Sequence, residues 1–185
     1  MKRLSVGMMF AAVGMCVAVA LLMLFAAEQA PWLWLGAICL FVASLMTWIP
    51  AYEDGGLLYA FIAYVITSAI ALLICPGLFT YLYVLLFGHY GIVLLLLRRY
   101  IADKLLRFLV MMLYCNAMIA LGLVLGAYVF YYDVQTLMHG LPIWATILIL
   151  EAGLVVYHFL YRICCDLFDM HLRKTILPRR SGKNN

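Results

Sequence analysis

Apolar positions run along this chain in blocks of about twenty residues, and polar positions fall almost entirely between the blocks. A helix rising about 1.5 Å per residue needs roughly twenty apolar residues to cross the hydrocarbon core of a bilayer. Six blocks reach that length, at about 5–27, 32–51, 56–75, 78–97, 106–130 and 141–163. Turn chemistry separates them. Glu28-Gln29 ends the first, and Pro31 follows where a first helical turn tolerates it. Tyr52-Glu53-Asp54-Gly55, Pro76-Gly77 and the stretch Tyr131-Tyr132-Asp133 to Gly140 mark later breaks, and Pro142 opens the last block. Trp32, Trp34 and Trp48 stand at the two ends of the second block, as interfacial aromatics do. A barrel would require period-two alternation, which is missing, and in lipid the backbone must satisfy its own polar groups. The expected fold is an all-α integral membrane protein, a six-transmembrane-helix bundle, followed by a basic tail over 164–185.

Composition agrees. The chain is 69% apolar and 11% charged, against soluble averages of about 45–50% and about 25%. Charge adds orientation. The twelve Lys and Arg fall in three clusters, Lys2–Arg3, Arg98–Arg107 and Arg162–Lys183. The middle cluster lies in FGHYGIVLLLLRRYIADKLLRF, Phe87 to Phe108, and comprises Arg98, Arg99, Lys104 and Arg107. Basic loops stay on the cytoplasmic side. With six spans, both termini then lie in the cytoplasm of a multi-pass protein of the plasma membrane. The acidic turn at Glu53-Asp54 would also be cytoplasmic, which is neutral because acids contribute little to the rule. The clusters suit anionic headgroups of the lipid bilayer rather than nucleic acid. The run after MKRLSV is longer than a signal peptide's apolar region, and AAEQAPW offers no small-x-small cleavage site, so it is expected to stay as the first span.

Catalytic and metal signatures are missing. Six cysteines form no CxxC and no Cys/His zinc spacing, and Cys16, Cys39 and Cys115 sit in apolar blocks as small hydrophobes. Cys164 and Cys165 fall at a helix end, where packing competes with acylation. There is no HExxH, no GxSxG and no phosphate-cradling glycine loop. No enzyme, metal or cofactor is expected.

Two features carry candidate function. Gly7, Ala11, Gly14 and Ala18 are spaced 4, 3 and 4, so they share one face of the first helix. Such a face admits another backbone closely, either within the chain or on a partner subunit. Glu151 lies about ten residues into the sixth block. A carboxylate near the bilayer centre costs about 2.5–3.5 kcal/mol unless paired or protonated, and such residues usually face a bundle interior. By depth arithmetic His89, Asn116, Thr67 and Ser68 fall at the same level. Thr67 and Ser68 are expected to bond back to their own helix. His89 and Asn116 are either interhelical glue or, with Glu151, a ligand site. Trp144, Glu151, His158 and Arg162 share a stripe, which leaves a weaker reading of Glu151 and His158 as an acid–base pair.

The size, the six spans, the inward termini and the Gly7–Ala11 step resemble the substrate-capture components of energy-coupling-factor transporters. In those proteins a small-residue step on the first helix, typically alanine-xxx-alanine, docks on a transmembrane coupling subunit. The stretch LLICPGLFTYLYVLLFGHYGIVLLLLRRY, followed by a span and a basic tail, also looks like a group of Gram-positive six-span membrane proteins. The resemblance implies capture of a small molecule from outside, with partner ATPases supplying energy, and a ligand held toward the outer side. The alternative is a polytopic scaffold without ligand, of the cell-shape or envelope-assembly type.

Overall fold

The structure is a computed structural model that describes residues 6–52, 56–128, 142–168 and 170. All regular structure among them is helical. Helix α1 spans Val6–Glu28, α2 Leu33–Trp48, α3 Gly56–Ile74, α4 Leu78–Leu82, α5 Tyr90–Tyr100, α6 Lys104–Tyr128 and α7 Ile143–Leu167. A 3-10 turn, Ile49–Tyr52, follows α2, and a π-helical turn, Tyr83–Phe87, links α4 toward α5. Among the described residues six segments are long and apolar enough to cross a membrane, one of them Leu78–Tyr100, which takes in α4, the π-turn and α5. The expected loop Tyr131–Gly140 and most of the tail fall outside the described residues, as does the turn at Glu53-Asp54. Observed bounds differ from the expected ones by a few residues at helix ends. The larger difference is internal: the fourth span is broken rather than continuous.

The chain divides into two compact units, residues 1–131 and 132–185. In the first, α1 packs against α2 and α3 and meets α4 near its C-terminal end. Its buried stripe is Met9, Val13, Cys16, Val17, Ala20, Leu24 and Ala27, a spacing close to 3.5 that keeps one side toward neighbours. Ala20, Leu24 and Ala27 join Leu40 and Ala43 of α2, Ala71 of α3, Phe79 of α4 and Tyr83 in one core cluster. Val13 and Val17 pack with Ala63 in a second. Alanines at these crossings let backbones approach where lipid supplies no hydrophobic drive between helices.

The stripe Gly7, Ala11, Gly14, Ala18 is offset from the buried stripe by two positions, about 200° round the helix. All four residues are exposed. A Cβ placed on Gly7 or Gly14 would meet nothing within 4 Å. The packing of α1 thus uses the other side of the helix.

A carboxylate ties α1 to α4. Thr80 N–H donates to Glu28 Oε1 at 2.7 Å, and the Thr80 hydroxyl donates to the Cys75 carbonyl at 2.8 Å. The first amides of a helix have no partner within it, so Glu28 acts as a cap supplied from another helix. Gly77 is extended, a backbone shape open to any residue. Glycine is needed there for space, because a Cβ would strike the Glu28 carboxylate.

The second unit contributes α7. Its buried positions Leu154, His158, Tyr161 and Cys165 lie 4, 3 and 4 apart on one stripe. Exposed apolar residues, Ile147, Leu148, Val156, Phe159 and Ile163 among them, occupy the remaining circumference.

Candidate functional site

The break in the fourth span builds the site. In an α-helix the Gly88 amide would bond to the Val84 carbonyl; here it bonds to Tyr83 O, five residues back, at 2.7 Å. Regular bonding resumes with Val93 N–H on His89 O at 3.0 Å. His89 itself adopts φ −102° and ψ 0°, in the sparsely occupied region between α and β. Side chains from neighbouring helices take up the carbonyls at the break. Tyr64 of α3 donates its hydroxyl to Val84 O at 2.7 Å. The Thr47 hydroxyl of α2 lies 2.8 Å from both Gly88 O and Ser44 O, so one proton serves two acceptors. Broken helices inside a bilayer are tolerated where neighbours satisfy the freed groups in this way. Gly88 is required by close approach: a Cβ would lie 2.8 Å from the Tyr64 ring and 2.9 Å from the Tyr83 ring.

Around the break the polar groups cluster. Tyr64 stands edge-on to His89 with centroids 5.3 Å apart, and His89 stands edge-on to Tyr114 of α6 at 5.8 Å. Tyr83 is fully buried, 6.3 Å from Tyr64 by centroid. Its hydroxyl faces those of Thr47 and Thr67 without completing a hydrogen bond to either. Five buried polar atoms in this layer complete no hydrogen bond of good geometry, namely Thr67 Oγ1, Ser68 Oγ, Tyr83 Oη and both ring nitrogens of His89, although Ser68 faces the Tyr64 hydroxyl and the His89 ring faces the Val84 carbonyl. Buried polar groups are satisfied in the large majority of cases, so such a concentration is unusual. The expected back-bonding of Thr67 and Ser68 is not found. Ser44 and Thr47 do bond back, to Phe41 O at 2.7 Å and Ser44 O at 2.8 Å.

The hydroxyls and the imidazole can each donate and accept. No group of three or more His, Cys, Asp or Glu among the described residues is placed to hold a metal ion.

Of the residues singled out in the sequence, His89 lies at the centre of this layer. Asn116 is exposed on α6, two positions and so about 200° from Tyr114. Glu151 belongs to the second unit, half-buried, and extends the stripe Leu154–His158 by one turn. The stripe Trp144, Glu151, His158, Arg162 is uneven, with Trp144 exposed and His158 buried. Sequence reasoning missed Thr47, Tyr64, Tyr83 and Tyr114. The signal was present in the tyrosines: they sit inside apolar spans rather than at the ends, and a buried tyrosine hydroxyl usually seeks a partner. The chain matches no family model, no curated protein sequence and no solved structure.

Proposed function

We propose that the protein is a membrane subunit that captures a small polar molecule at the layer formed by Thr67, Ser68, Tyr83 and His89. It works with a separate ATP-driven transporter module, which it meets through the small-residue face of α1. One observation carries the reading: five buried polar atoms that complete no hydrogen bond of good geometry collect where the fourth span breaks. Breaks of this kind in apolar helices often mark functional sites. The second reading, a scaffold without ligand, is favoured by a different observation, the exposed face Gly7, Ala11, Gly14, Ala18. It makes partner binding the whole activity.

The test compares purified protein with Tyr83→Phe and His89→Leu. The wild type is expected to release a small molecule, in near-equimolar amount, on denaturation into a mass spectrometer. Tyr83→Phe removes an unpartnered hydroxyl and keeps the ring, so thermal stability is expected to hold or rise. The released molecule should fall at least tenfold in both variants. An empty wild-type protein that still co-purifies with envelope proteins would replace the capture reading with the scaffold.

A further inference from the structure

The turn between α5 and α6 gathers four cations about three residues. Arg98 and Arg99 close α5, and Lys104 and Arg107 open α6. The one acid in the turn, Asp103, is already engaged. Its Oδ1 accepts from Leu105 N–H at 3.0 Å, and its carbonyl accepts from Arg107 N–H at 3.1 Å. Arg107 folds back so that Nη2 donates to the Ala102 carbonyl at 3.1 Å, which holds the guanidinium against the turn. Its Nε is buried and has no acceptor in the structure. Among the described residues, Arg98, Arg99 and Lys104 have no carboxylate partner either.

The surroundings restrict what such a cation set can hold. Tyr100, Leu105, Leu106 and Leu109 are all exposed beside it. A soluble anion would use the charge and leave these side chains unused. An amphiphile with an anionic phosphate head and hydrocarbon tails would use both. Guanidinium groups match phosphate oxygens in pairs, and two arginines here, Arg98 and Arg107, are half-buried and so partly fixed in place.

We infer that the α5–α6 turn is a binding site for the phosphate of an anionic phospholipid, held by Arg98 and Arg107 with Arg99 and Lys104 supporting. This site is independent of the polar layer at His89 and of the activity proposed for it.

Full-length protein in mixed micelles, followed by intact-complex mass spectrometry, tests it. Phosphatidylglycerol is expected to be retained in preference to phosphatidylcholine. Retention should fall roughly fivefold for each cation removed in Arg98→Gln and Arg107→Gln. The changes Arg98→Lys and Arg107→Lys keep the charge but lose the paired fit, so retention should fall between that of the wild type and that of the glutamine variants. Lys104→Gln, at an exposed position, gives a fivefold fall without endangering the fold. Equal retention of the two lipids would overturn the proposal, as would phosphatidylglycerol binding unchanged in every glutamine variant. Displacement of phosphatidylglycerol by millimolar glycerol 3-phosphate would overturn it in favour of a soluble phosphate ester.

Discussion

Glu28 stands at the end of α1 and against the start of α4. A carboxylate is unfavourable beside the negative end of its own helix dipole and favourable beside the positive end of another. The hydrogen bond to Thr80 N–H decides its position. Replacing it by alanine leaves that amide unpaired, at a cost of about 1–3 kcal/mol. Glu28→Ala is therefore expected to lower the melting temperature of the purified protein by several degrees. Glu28→Gln, which keeps an acceptor oxygen, should recover most of the loss. Equal loss in both variants would assign the effect to charge rather than to the cap. Neither partner announced itself in the sequence. Glu28 read as a turn residue because its partner is far away in the chain, and pattern reading sees only neighbours in sequence. His89 was legible because an ionisable group deep in an apolar span has few bland explanations. The hydroxyls that surround it were not, because Thr and Ser in apolar helices usually bond to their own backbone.

At the level of the helix, the six apolar runs were legible, since length and hydropathy alone set them. The break at Tyr83–Phe87 was not. It contains no proline, and the side chains that compensate it, Thr47 and Tyr64, come from other helices. Helix α1 presents two unlike faces. Its buried stripe packs on α2 and α3, while Gly7, Ala11, Gly14 and Ala18 are exposed. Substitution on the second face should thus spare the fold. Ala11→Trp is expected to leave the melting temperature within a degree or two, and to abolish co-purification with a partner subunit. A large side chain cannot stand where two backbones approach. If the variant melts much earlier, Ala11 serves the protein's own packing.

For the whole molecule, charge placement is what predicts orientation. If the basic turn between α5 and α6 lies on the cytoplasmic side, six spans put both ends of the chain on that side. A reporter fused after Asp133 should read outside, and one fused after Lys183 should read inside; the reverse pair would invert the topology. That reading was available from sequence because it needs only a count of spans and of Lys and Arg. How Glu151 is used was not, because its depth is a matter of counting residues and its neighbours are not. The cap on α4 also has a consequence for how the chain is made. Glu28 and Thr80 are 52 residues apart in sequence. At about 5–20 residues per second, roughly three to ten seconds of translation separate them. Throughout that interval the carboxylate ending the first helix lacks the Thr80 amide, because the head of the fourth apolar segment does not yet exist. The first helix is thus made early but settled late, and its end is held by a residue that leaves the ribosome only after two further apolar helices.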